Sequence, residues 1–259
     1  MTARLPILLS LAAAAGPAMA QTMLDQEQRL IEVHSLLVAL SPVGAPAPYR
    51  AGEASLGLEV VTIPAIDGST GGKRQITASD RTRVFPRPRF AIGLPAPEGF
   101  RTFAGLAYIP PVEIRGVSSH LGGLEAGIAW LPAPGLALGV RGHLAYAESR
   151  SPVTDPATRD TLRTFDLGAD LAAGYRVEQA LGSATPYAGV GVTRVAGDFR
   201  VSSDGEVLRS RTTELALHAG VRLLARQRVE LVAELEAVPG RLVHPSFRIA
   251  WAPDWGMGP

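Results

Sequence analysis

The chain has 259 residues, of which 46% are apolar and 19% charged, and none is cysteine. That excludes a disulfide framework, a lipid-anchoring cysteine and thiol or cysteine-metal chemistry, while a formal net charge of +1 gives no reason to expect nucleic acid or an acidic polymer as partner. The length fits one large all-β domain or two ordinary ones, and past the N-terminus no run reaches the about 20 apolar residues of a membrane helix, so any membrane span must be made of strands.

Met1 to Ala20 has the build of a secretory signal: Arg4, the apolar run Leu5 to Ala15, Gly16-Pro17, and the small-x-small site Ala18-Met19-Ala20. Cleavage there starts the mature chain at Gln21, and losing Arg4 brings the 25 basic residues level with the 24 acidic ones. Thr22 and Asp25 form a capping pattern, and Leu24, Leu30, Ile31, Leu37 and Val38 fall near one helical stripe that Ser41-Pro42 stops. The expectation is a helix over Met23 to Leu40, serving as a plug, a periplasmic foot, a partner-binding arm or a plain leader. Pro42 to Arg50 reads as a linker. The chain thus divides into a signal peptide (1–20), a periplasmic helix with a Pro-rich linker (21–50), a β-barrel (51–252) and a C-terminal tail (253–259).

From Ala51 onward the period of apolar residues is two, the period of a strand. Leu56, Leu58 and Val60 alternate with Gly57 and Glu59, and after the polar insert Pro64 to Thr82, Phe90, Ile92 and Leu94 alternate with Arg89, Ala91 and Gly93. Phe100 to Ile109 shows both parities before Pro110-Pro111 breaks it. Val112 and Ile114, then Leu124, Ala126, Ile128 and Trp130, oppose Glu113, Arg115, Glu125 and Gly127. Leu136, Leu138, Val140, Leu144 and Tyr146 oppose Arg141 and His143. Phe165 to Tyr175 opposes Asp166, Asp170 and Arg176. Tyr187 to Phe199 again shows both parities. Three clear segments close the chain: Leu215 to Leu223 against Glu214, His218 and Arg222; Val229 to Ala237 against Glu230, Glu234 and Glu236; and Phe247, Ile249 and Trp251 against Ser246 and Arg248.

The result is ten candidate strands of an antiparallel up-and-down barrel whose apolar face meets lipid and whose polar face lines the lumen. Connections near 95–99, 132–135 and 225–228 are short, that at 179–185 is intermediate, and those at 64–82, 110–120, 149–160 and 238–246 are longer, the asymmetry of periplasmic turns and external loops. Trp130, Tyr175 and Trp251 fall at the short-turn end of the apolar face and Tyr146 and Phe165 at the other, as two aromatic girdles. A soluble exported barrel or sandwich shares the alternation but turns its aliphatic face inward.

With the signal, the alternation over about 51–252 and the aromatic-terminated strand Ser246-Phe247-Arg248-Ile249-Ala250-Trp251, the chain resembles bacterial outer-membrane β-barrel proteins as a broad class. That resemblance implies export to the outer membrane, contact with its lipid and recognition by the barrel insertion machinery. The class ends on the aromatic residue, whereas here Ala252 to Pro259 follow it.

The lumen charges expected are Glu59, Glu113, Glu125, Asp166, Asp170, Glu214, Glu230, Glu234 and Glu236 against Arg89, Arg115, Arg141, Arg176, Arg222 and Arg248, pairing across a narrow bore or lining a selective path for small solutes. His143 and His218 share that face, though no spacing demands a metal, and no cofactor is called for. His244-Pro245-Ser246 superficially resembles the His-x-Ser element of outer-membrane lipid A deacylases, but parity sends both side chains to the lumen. Gly68 to Arg74 fails as a phosphate loop, because Arg74 stands where Ser or Thr belongs. Gly189-Val190-Gly191 reads as a close-packing site. The leading expectation is a non-enzymatic structural or narrow passive-transport barrel, with a lipid-modifying hydrolase and an adhesion or receptor barrel using the 64–82 loop as alternatives.

Overall fold

Period-two alternation becomes strand, and the long strands pair in chain order around a ring. A computed structural model describes residues 31–32, 35–36, 44–62, 84–114, 117–151, 157–202, 205–225 and 228–253. Its segments are β1 (Ala54–Thr62), β2 (Val84–Leu94), β3 (Phe100–Ile114), β4 (Val117–Ala133), β5 (Leu136–Ser151), β6 (Asp160–Tyr175), β7 (Val177–Gln179), β8 (Gly182–Arg200), β9 (Val207–Ala225), β10 (Val229–Val238) and β11 (Leu242–Trp251). All pairings are antiparallel, β6 pairs with β8, and β11 returns to β1 from Leu56↔Trp251 to Val61↔Ser246. The ring is a closed ten-strand barrel, with β7 a short continuation of β6 along β8. Closure leaves no open sheet edge, the condition a sheet must meet in hydrocarbon.

The two faces are inverted relative to a soluble protein. Leu171 is 58% exposed on the outside, with Leu56 and Ile249 at 57%, whereas Glu59, Arg87 and Glu230 are 0% exposed inside. In water such a surface would be an aggregation liability, while in lipid it is the stable choice. The soluble alternative, with its aliphatic face inward, is not what this chain adopts.

Trp130, Tyr146, Phe165, Tyr175 and Trp251 all lie on the outer face, each at least 40% exposed. Phe100 opposes Trp130 and joins the short-turn row, and Tyr146 opposes Phe165 in the other row. Phe165 and Tyr175 stand at the two ends of one strand; at about 3.3 Å per residue and a tilt near 40°, they are separated by about 25 Å along the membrane normal, the height of an outer-membrane apolar band.

Several expected boundaries move. Pro110-Pro111 does not end a strand, because β3 absorbs both exposed prolines in a bulge between Ile109 and Val112, leaving only 115–116 before β4. A bulge leaves a residue outside the ladder, so the missing N–H donors cost no pairing. The 238–246 connection shrinks to 239–241, where Gly240 takes φ 74°. The β7–β8 connection is tight, so it belongs with the short turns. The two ambiguous segments resolve: Phe103, Ala107, Tyr187 and Val195 face inward, while Leu106, Tyr108, Val190 and Val192 face outward.

The expected helix over Met23 to Leu40 does not stand among the described elements, and most of it, like the signal peptide and the tail from 254, lies outside the described residues. Ile31, Glu32, Ser35 and Leu36 are described, and they lie inside the barrel at its long-loop end. Leu36 packs on Val61, Val195, Ala216, Val238 and Leu242, and Glu32 accepts from Ser210 Oγ at 3.2 Å and Arg241 Nη1 at 2.6 Å. Of the Pro-rich linker, residues 44–50 are described: Gly44 to Tyr49 lie inside the lumen, with Ala45 and Tyr49 buried, and Arg50 is exposed.

Candidate functional site

Inward-facing acids and bases on β1, β2, β4, β5 and β6 form a continuous chain of ion pairs, with Gly105 of β3 leaving room for Glu125 to reach β2. Arg87 donates from Nε (3.1 Å) and Nη2 (2.5 Å) to Glu59, and Arg89 Nη1 reaches the same carboxylate at 3.0 Å. Arg89 Nε holds Glu125 at 2.9 Å, and Arg141 donates to Glu125 at 2.9 Å and to Asp170 at 2.8 Å. His143 ends the chain, with Nδ1 3.3 Å from Asp170 and Nε2 3.7 Å from Asp166. Five strands, β1, β2, β4, β5 and β6, are thus tied together across the bore. Buried charges carry a large desolvation cost that only such multiple, aligned contacts offset.

A second cluster joins the opposite wall to the N-terminal segment. Glu230 accepts from Arg222 at 2.8 Å and 3.0 Å and pairs with Arg248, which also donates to the Tyr49 hydroxyl at 3.0 Å. The Arg222 guanidinium stands 5.5 Å from the centroid of the Tyr49 ring, whose edge packs on Phe103. Nearby, Tyr187 donates to Glu234 at 2.8 Å.

The wall is cut to receive this segment. A methyl group at Gly93 would stand 1.9 Å from the Arg50 carbonyl oxygen, one at Gly139 2.7 Å from Pro46 Cβ, and one at Gly174 3.0 Å from Pro46 Cδ. Higher up, one at Gly197 would stand 2.5 Å from Ser35 Oγ. Glycine is therefore required for close approach rather than for conformational freedom at these positions. With the segment seated, the cavity among Pro46, Tyr49, Glu125, Arg141 and His218 measures about 30 Å³, room for about two or three waters. Below it, the short-turn mouth opens as a vestibule of about 430 Å³ past Ala45, Ala47, Arg101 and Arg176.

Of the lumen residues expected from sequence, Glu125, Arg141, His143, Asp166, Asp170, His218, Arg222, Glu230, Glu234 and Arg248 are all buried inside the bore. Glu214 lies higher, 3.4 Å from Arg241. Arg176 is at the short-turn rim, with Nε 2.6 Å from Glu178 but without hydrogen-bond alignment. Glu113 is a correction: the β3 bulge shifts its parity and it pairs outside the lumen with Arg159 at 2.8 Å. Arg115, the 64–82 loop and the Gly68–Arg74 stretch lie outside the described residues. Sequence reasoning missed Arg87, though it shares the parity of Arg89, and Arg101, whose strand showed two parities. It also missed Tyr49, for which no periodic signal exists.

Neither alternative chemistry gains geometry. Among the described residues no three His, Cys, Asp or Glu side chains are placed to hold a metal ion, and both ring nitrogens of His218 lack a hydrogen-bond partner. His244 and Ser246 face the lumen, 1% and 0% exposed, with His244 Nε2 3.6 Å from Glu236. The barrel wall stands between them and lipid. Gly189 and Gly191 take up His218 and Asp170 at close range, as a packing site would.

No family model and no curated protein is matched by the sequence. Solved structures are matched, at low identity. The β domain of the Bordetella autotransporter BrkA has 15% identity over 79% of this chain and 99% of its own, at a TM-score of 0.41. The translocator domain of autotransporter NalP from Neisseria meningitidis has 12% identity over 87% and 93%, at 0.42, and the attachment invasion locus protein Ail of Yersinia pestis 11% over 77% and 96%, at 0.33. At these scores the likeness adds nothing to what the barrel itself shows: closed, antiparallel and apolar outside, the architecture of bacterial outer-membrane β-barrels.

Proposed function

We propose that the protein is a structural barrel of the bacterial outer membrane, exported by cleavage of the signal at 1–20 and kept closed by its own N-terminal segment. Small solutes cross only when that segment leaves the bore. The observation that carries this reading is Gly44 to Tyr49 seated in the lumen against glycines that admit no larger residue. A charged lumen alone would suit a selective pore. Here the charges are engaged with one another and with Tyr49, which favours closure over steady passage. Its partners on this reading are outer-membrane lipid around the apolar band and the insertion machinery at the Ser246–Trp251 strand.

Conductance in planar bilayers tests it. The full mature chain should be silent, and a chain lacking residues 21–50 should conduct while keeping the heat-dependent gel mobility of a folded barrel. Equal conductance from both chains would overturn closure by the segment.

A further inference from the structure

The outer surface is not uniform around the barrel. At the long-loop end, Arg150 on β5, Arg163 on β6, Arg194 and Arg200 on β8, and Arg209 and Arg211 on β9 are all exposed, and each shares the strand face of the lipid-facing Tyr146, Phe165, Val192 or Leu215. At the same end of β10, β11, β1 and β2, the outward residues are Leu235, Ala237, Val243, Pro245, Val60, Thr62, Pro86 and Pro88, none of them charged.

Register and strand tilt together give the height of this patch. Arg211 opposes Ala196, which opposes Phe165, and with strands tilted about 40° each of these two steps rises about 3 Å, so Arg211 stands about 6 Å on the loop side of the girdle residue Phe165. Arg194 opposes Leu167, two residues nearer the membrane centre than Phe165, but the rise from β6 to β8 brings it back close to the level of Phe165, and Arg163 and Arg209 flank Asp198 nearer the loops. The arginines therefore stand at and just beyond the level where hydrocarbon gives way to headgroups. Glu148 pairs with Arg150 at 2.7 Å and with Arg163 at 2.8 Å, and Asp198 lies 3.9 Å from Arg209. Arg194, Arg200 and Arg211 have no hydrogen bond or ion pair among the described residues. A guanidinium facing lipid without a counter-charge is unfavourable, more so with depth, unless an anion meets it. Guanidinium groups match phosphate by paired, parallel hydrogen bonds, and at this depth the available phosphates belong to lipid headgroups.

We propose that the β5–β9 sector binds the phosphate-bearing headgroup of a lipid in the leaflet on the long-loop side, with Arg194 and Arg211 as its central contacts and Arg200 above them. The assignment rests on the barrel's placement in a membrane and not on closure of its lumen.

Binding to the folded full mature chain in a nonionic detergent, followed by native mass spectrometry, gives the test. The probes are bisphosphorylated lipid A, the same lipid after phosphatase treatment, and inorganic pyrophosphate. The expected result is at least tenfold tighter binding of the phosphorylated lipid than of its dephosphorylated form, that preference being lost in the R194Q/R211Q variant, with pyrophosphate alone bound weakly. Equal binding of the two lipids, or a preference unchanged in the variant, would overturn the proposal, and pyrophosphate bound as tightly as the lipid would reject a lipid site in favour of a free-phosphate site. Heat-dependent gel mobility, followed in parallel, distinguishes loss of the lipid from loss of the barrel.

Discussion

Glu230 shows how much a single carboxylate carries in this bore: it is the acid that both Arg222 and Arg248 reach, at 0% exposure. Glu230→Ala leaves two buried guanidiniums without it, and the expected loss is about 3–5 kcal/mol, the range for breaking a buried pair. Urea unfolding from lipid vesicles measures this, and a loss under about 1 kcal/mol would mean the cluster is hydrated rather than tightly paired. The wall glycines make a separate prediction. Gly139→Val should push Pro46 out of its notch and raise conductance without unfolding the barrel, whereas Gly122→Ala, where an added methyl meets nothing within 4 Å, should behave as wild type. Residues on regular strands were open to inference, since parity alone assigns Glu125, Arg141 and Asp170 to the lumen. Tyr49 was not, because it lies in a proline-interrupted segment whose position depends on tertiary contact with Arg222, Arg248 and Phe103.

At the scale of the strand, alternation is legible because each lipid-facing side chain and each lumen-facing one has a fixed parity, and a slip of one residue would exchange them all. Where both parities occur, as in Phe100 to Ile109, the cause is inward apolar residues: Phe103 packs on Tyr49 and Ala107 on Leu121. The bulge at Pro110-Pro111 was illegible for a different reason. Proline ordinarily ends pairing, and only the register on β4 shows the ladder resuming at Val112. Leu171 sits midway between the aromatic rows, opposing Val140 and Val190, so Leu171→Arg should cost about 2–4 kcal/mol as a charge near the bilayer midplane. The unfolding midpoint in vesicles reports it, and a neutral result would place that face in water. The closing strand makes a kinetic prediction. Trp251, 57% exposed and paired with Leu56 at the seam between last and first strands, anchors the short-turn interface, and Trp251→Ala should slow insertion into vesicles, followed as the fraction of heat-shifted barrel against time.

For the whole molecule, closure of the ring and inversion of its faces are one fact seen twice. A sheet with no edge can place all its backbone groups in hydrogen bonds, and so can present Leu, Ile and Val to hydrocarbon while Arg, Glu and Asp satisfy one another within. Sequence carried this much because it is written in period two. It did not carry the filling of the bore, since no local pattern announces that Gly44 to Tyr49 lie inside the barrel whose wall begins at β1. The absence of cysteine from the chain allows the central claim to be tested directly, one position at a time. Nitroxide labels on single cysteines from Phe165 to Tyr175, in vesicles, should alternate: labels at Leu167, Ala169, Leu171 and Ala173 relaxed by oxygen dissolved in lipid, and those at Asp166, Gly168, Asp170 and Ala172 shielded from it. Uniform exposure of both sets to a water-soluble relaxant, or an alternation of opposite phase, would contradict a barrel whose aliphatic side chains face the bilayer.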